Sequence, residues 1–199
     1  MIRSKLSIAG LVVLLLAALV VSACSSGSAG PILAAMTPTT SPGPAAVDGA
    51  DTTFAARMIS NFEQTSDLTR LVPAHSSDSG LIKLAADIAA EQQGQMEIVK
   101  VLSVQWSADP DNAARRGGSD NAPAVSVGDV TMARLKTLRG KEFDELWLRT
   151  MIGHQQVAAA ISADESIHGS NVDAVATARR IIDMCHDQDA RLQRLLDGA

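Results

Sequence analysis

Asp51, Phe54, Met58 and Ile59 recur 93 residues further on as Asp144, Trp147, Met151 and Ile152. An acid, an aromatic and a Met-Ile pair at fixed spacing are hard to obtain by chance, so the chain reads as one helical unit present twice. Farther along each copy, Ile88 and Gln92 match Met184 and Gln188 at an offset of 96, which predicts three extra residues in the turn of the second copy. A hairpin that cannot cover its own apolar face must pack against its duplicate. The expected product is an all-α, pseudo-two-fold four-helix bundle with Met58 and Met151 at equivalent inward positions.

The periodicity within each copy is helical. Phe54, Met58 and Phe62 recur every four residues with Ala55 and Ile59 beside them, and Leu81, Leu84, Ala85, Ile88, Met96, Val99 and Leu102 continue a stripe after an interruption from Pro73 to Gly80. The second copy places Phe143, Trp147, Met151, Ile152 and Ala159 on its first helix, and Val172, Val175, Ile181, Ile182, Leu192 and Leu195 on its second. Gly169 ends the first of these, and Ser170-Asn171-Val172-Asp173 offers a capping box to the next. Asp109-Pro110 and Arg115-Arg116-Gly117-Gly118 mark a loop between the hairpins, and Ser126 to Leu138 reads as a short extra helix before Gly140. Three Phe, two Trp and no Tyr in 199 residues fit helices better than strands.

Ahead of this domain stands a different kind of segment. Arg3 and Lys5 precede an apolar run from about Leu6 to Val20, and Val21-Ser22-Ala23-Cys24 closes it. The run is too short and too abruptly ended for a transmembrane helix. It reads as a lipoprotein signal over residues 1–23, with Cys24 accepting the lipid (palmitate among its acyl chains) that would anchor the protein to the outer face of the cell membrane. Residues 24–47, rich in Ser, Gly, Ala, Pro and Thr and without charge, cannot bury enough apolar surface to order themselves and are expected to form a disordered tether. The folded domain then spans 48–199.

Loss of Arg3 and Lys5 with the signal lowers the 17 basic residues to 15 against 22 acidic ones, a net charge of 15 − 22 = −7. That balance argues against a nucleic-acid partner. Once Cys24 is lipidated, Cys185 is the sole remaining thiol, and no disulfide can form within one chain.

The block from Phe143 through Trp147, Met151-Ile152-Gly153-His154-Gln155-Gln156 to Ala158 resembles the hallmark of the domain-of-unknown-function 305 family: an acidic and aromatic start, Met-Ile, one residue, His-His, then small residues. The resemblance covers Asp51 to Leu196 and implies a ferritin-like, exported protein of actinobacterial lipoprotein type. Some members of that family are associated with copper binding through His and Met. This chain departs from the pattern at those residues: the first copy reads Met58-Ile59-Ser60-Asn61-Phe62 with no histidine, and the second keeps His154 but has Gln155 at the other histidine position. Gln and Asn are poor ligands for copper, whereas imidazole and thioether suit it.

Two sets of candidate ligands follow. Met151 and His154 lie three apart on one helix face, and Met58 would arrive from the related helix, a set suited to Cu(I). Met184, Cys185 and His186 form a weaker set, since consecutive helical residues point in different directions. Against both stands the plainer reading of Met58, Met151 and Met184 as core fillers and Cys185 as a small buried hydrophobe. Glu91, Glu97, Glu142, Glu145 and Glu165 do not form a di-iron site, because no Glu lies three residues before a His. His75-Ser76-Ser77-Asp78 holds catalytic residue types in what reads as a polar capping loop, and no phosphate loop, nucleophile elbow or zinc cysteine pair is present. The chain is therefore expected to be no enzyme. It is expected either to bind or buffer copper weakly at the cell envelope, or to act as an interaction module for another envelope protein after losing the family ligands.

Overall fold

The computed structural model describes residues 46–108 and 127–198. Cys24 and residues 24–45 of the expected tether lie outside them. Five helices occur among the described residues, and no strand: α1 (Gly49–His75), α2 (Ser79–Ala108), α3 (Asp129–Thr137), α4 (Gly140–His168) and α5 (Val172–Gly198). The four long helices form two hairpins, α1–α2 and α4–α5, and α1 packs on α4 while α2 packs on α5. Cross-contacts show the α1–α4 seam to be antiparallel, because Leu68 meets Trp147, Asn61 meets His154, and Asp51 meets Asn171. The α2–α5 seam is antiparallel as well, with Gln92 meeting Gln188 and Asp87 meeting Arg191. The short α3 leans on α1 and α4.

The start of α1 is fixed by a reciprocal cap. The Asp48 carboxylate accepts from the Ala50 and Asp51 amides, and the Asp51 carboxylate accepts from the Asp48 amide at 2.7 Å. Val47, counted with the tether on sequence grounds, is 3% exposed and belongs to the core, so order begins ahead of Asp48. Helix α1 also runs through Pro73 and ends at His75, which confines the expected Pro73–Gly80 interruption to Ser76, Ser77 and Asp78. The proline sits on an exposed position of the final turn, where the chain is about to leave the helix anyway. His75, read as part of a polar loop, is buried instead; its Nδ1 lies 2.8 Å from the Leu138 carbonyl, and its ring stands 5.0 Å from that of Phe143. Asp78 caps α2 through Leu81 N–H at 2.8 Å. Gly140 opens α4 with φ 57°, a left-handed conformation that lets the chain turn sharply out of the α3 connector.

The repeat is real, but its register is simpler than the sequence suggested. Both hairpin turns hold three residues, 76–78 and 169–171, so the second turn carries no insertion and the offset stays at 93 through the second helices. Buried Leu81, Leu84, Ala85, Ile88, Gln92 and Val99 of α2 then fall on buried Ala174, Thr177, Ala178, Ile181, Cys185 and Leu192 of α5. The apparent match of Ile88 and Gln92 to Met184 and Gln188 is a slip of three residues. Three residues turn a helix through about 300°, so the apolar stripe nearly superimposes on itself and hides the error. Val172, expected on the apolar stripe, is 66% exposed as the first residue of α5. The cap of that helix is the Asn171 side chain, which accepts from Asp173 and Ala174 N–H at 3.1 Å, rather than Ser170.

Two apolar clusters fill the bundle. One gathers Phe54, Met58, Phe62, Met96, Val99, Trp106, Ile181 and Cys185; the other gathers Leu68, Leu84, Ile88, Phe143, Trp147, Met151 and Leu192. They are related by the duplication, and a polar belt separates them.

A polar belt at the pseudo-two-fold axis as candidate site

The belt is built from residues that the duplication brings face to face. His154 of α4 and Asn61 of α1 are repeat mates, and His154 Nε2 lies 3.1 Å from the Asn61 carbonyl oxygen. A carbonyl can only accept, so Nε2 carries the proton and the second nitrogen, Nδ1, keeps its lone pair. Thr65 Oγ1 lies 3.1 Å from the same Nε2 and itself donates to the Asn61 carbonyl. His154 is 3% exposed, and burial pushes its pKa below the ordinary histidine value, the Asn61 bond opposing this in part. The imidazole is therefore neutral at physiological pH, the state in which it can ligate a metal.

Across the bundle, three buried glutamines meet. Gln155 takes the position next to His154 and is 0% exposed, as is Gln188 of α5, with Gln92 of α2 at 2%. Gln92 Nε2 donates to Gln155 Oε1 at 3.0 Å and to Gln188 Oε1 at 3.1 Å, and Gln155 Nε2 donates to Gln188 Oε1. Gln188 Nε2 passes the chain outward to Glu91 at 2.7 Å, and Arg191 holds that carboxylate at 3.0 Å. Cys185, the repeat mate of Gln92, points its thiol at Gln155 Oε1 from 3.8 Å. In the sequence Gln92 and Gln188 stand out only as an apparent repeat match and Gln155 only as the occupant of a histidine position; their setting on otherwise apolar helix faces was the signal that they meet.

The candidate ligands are distributed as follows. Met58 and Met151 are both 0% exposed but occupy different apolar clusters. Met58 Sδ sits 3.8 Å from the Ser162 hydroxyl, two helical turns (about 12 Å) along α4 from His154. Met151 and His154 share one face of α4, whereas Met58 is directed away from them. On α5, Met184 is half-buried, Cys185 buried and His186 exposed, so these three do not converge. Burial, with Asp189 adding to it, pushes the Cys185 thiol up to about 12, so it is a neutral thiol and not a ready thiolate ligand. Among the described residues no three His, Cys, Asp or Glu side chains gather as a metal cluster. Tested against copper, the donor set amounts to one neutral imidazole and one thioether on a shared face, suited to a soft monovalent ion and too small for a tight multidentate site. Of the five Glu weighed for di-iron chemistry only Glu165 is buried.

A duplicated antiparallel hairpin closed around a His-bearing belt defines a helical-bundle class of protein. Its family is equally plain: the chain belongs to the DUF305 family (Domain of unknown function), whose model matches residues 51–196. Solved structures of similar fold include a DUF305 protein from Streptomyces coelicolor (21% identity, TM-score 0.63, 75% of this chain and 93% of that one). A DUF305 fragment from Deinococcus radiodurans is also similar (22%, 0.66, 78% and 99%). The protein CopM in its Cu(I)-bound form is similar too, at 19% identity and TM-score 0.60 over 74% of this chain and 96% of that one. No curated protein matches the chain.

Proposed function

We propose that this protein is lipid-anchored through Cys24 on the outer face of the cell membrane and that its bundle binds or buffers copper weakly through Met151 and His154. The observation that carries the reading is the neutral, buried His154, whose Nε2 is engaged by Asn61 and Thr65 while Nδ1 keeps a lone pair. CopM, of similar fold, is known in Cu(I)-bound and Cu(II)-bound forms, and the Streptomyces coelicolor relative is assigned to the secreted proteins. No helix among the described residues is long and apolar enough to cross a membrane.

Copper bound there would be cargo: the thioether of Met151 and the imidazole of His154 would hold it, with Thr65 and Asn61 fixing the ring. Titration of the signal-less protein with Cu(I) tests this. His154→Ala should weaken binding by at least about tenfold, roughly 1.4 kcal/mol, most clearly under reducing conditions because thioethers prefer Cu(I). Cys185→Ser should leave it unchanged; loss of binding in Cys185→Ser with none in His154→Ala would remove the site. The anchor has its own test. Cys24→Ala should shift the protein from the membrane to the soluble fraction or leave the precursor unprocessed, and unchanged detergent partitioning would sink the lipoprotein assignment.

A second reading, a non-catalytic interaction module of the envelope, draws on the outward stripe of α2, where Ile98, Val101 and Val104 are 39%, 54% and 68% exposed. It takes over if the wild-type domain has no copper affinity.

A further inference from the structure

Where α1 begins, two carboxyl groups touch in the dry interior. Asp51 is 0% and Glu165 1% exposed. Asp51 receives the Asn171 amide on one oxygen at 2.9 Å and the Asp48 amide on the other at 2.7 Å, so both of its oxygens already accept from N–H donors. Neither Glu165 oxygen receives a hydrogen bond from an N–H or O–H donor; what the Glu165 carboxyl meets is that of Asp51. The charged groups acting on Glu165 are acidic on every side: Asp48 from the segment before α1, Asp51 from α1, and Asp164 from α4 itself. From the α4–α5 turn comes the neutral Asn171 backbone amide, already given to Asp51. Two carboxylates in contact with no cation or donor between them cannot both be charged.

The geometry points to a proton-binding site: Glu165 carries one proton and donates it to the Asp51 carboxylate, latching the start of α1 to the α4–α5 turn in a pH-dependent way. Burial, then Asp51, Asp48 and Asp164, push Glu165 up to about 8, in keeping with this. The turn is shaped for it. A Cβ on Gly169 would lie 2.3 Å from Glu165 Oε1 and 2.7 Å from the Glu165 carbonyl oxygen, so glycine alone leaves room for the carboxyl to fold back over the helix end. Because the folded value lies above the ordinary 4.5, the latch contributes fully below about pH 4.5 and is lost as pH rises through 8. Within that window its contribution to the folding equilibrium falls about tenfold per pH unit.

Glu165→Gln keeps the size and supplies an N–H donor to Asp51, so it should hold the latch closed at any pH. The test compares chemical unfolding of the full chain in detergent from pH 5 to 9, wild type against Glu165→Gln, together with the infrared band of neutral carboxylic acid. The wild type should lose stability with rising pH more steeply than the variant, by about tenfold per unit up to pH 8. Its neutral-acid band should persist at pH 7, titrate near pH 8 and be absent from the variant. Should Glu165→Gln fail to fold, the titration of the wild-type band decides alone. Parallel stability curves, or no neutral-acid band at pH 7, overturn the assignment. Stabilisation of the wild type but not the variant by Ca²⁺ at pH 7 overturns it too, making the pair a cation site.

Discussion

Truncating Met58 or Met151 to Ala is expected to lower the stability of the bundle by about 2 to 5 kcal/mol each, the range for a fully buried methionine. Both side chains are 0% exposed, and each fills the middle of its own apolar cluster. The cost is the lost transfer of three heavy atoms from water plus the cavity left by packed neighbours that relax only in part. Because the two residues lie in different clusters, the double variant should lose close to the sum of the singles. Urea unfolding measures this as a fall in midpoint at constant slope. Values near zero for both would mean that the inward faces of α1 and α4 are misassigned.

Gln188→Leu should cost about 1 to 3 kcal/mol, because it strands the buried Gln155 Nε2 group, whose acceptor is Gln188 Oε1, and removes the donor to Glu91. Replacing Gln92, Gln155 and Gln188 together with Leu should cost less than the single change. Orphaning one partner of a buried polar network is worse than removing all of them at similar volume. Equilibrium unfolding of the two variants side by side makes the comparison. A triple variant much less stable than Gln188→Leu would show that the amides contribute net stability rather than merely satisfying one another.

The fold could be read from the sequence because its signals are local and periodic: the Met-Ile repeat, the four-residue aromatic spacing, the cap at Asp78. The register of the second hairpin could not, because a helix face sampled every three or four residues looks alike after a slip of three, and the Gln92–Gln188 match invited that slip. Met151 and His154 were legible as a pair since both lie on one helix. Met58 is inward as expected, but it lies against Ser162 in the other apolar cluster, a contact between residues more than a hundred apart in the chain. The Asp51–Glu165 contact joins residues over a similar separation, and neither residue type signals burial by itself.

The ion pairs of Arg191 on the α2–α5 seam carry one further consequence. Arg191 reaches Asp87 at 2.6 Å and Glu91 at 3.0 Å, yet the repeat mates of these three residues are Ile98, Arg180 and Met184. The clasp therefore exists in one copy only. If two first hairpins met along this seam, Asp87 and Glu91 would face Ile98; if two second hairpins met, Arg191 would face Arg180 and Met184. Each mispairing leaves charge against grease or against like charge, while the native union of unlike hairpins sets opposite charges together. Three side chains on one seam thus give each half of a tandem repeat a means of recognising the other in preference to itself.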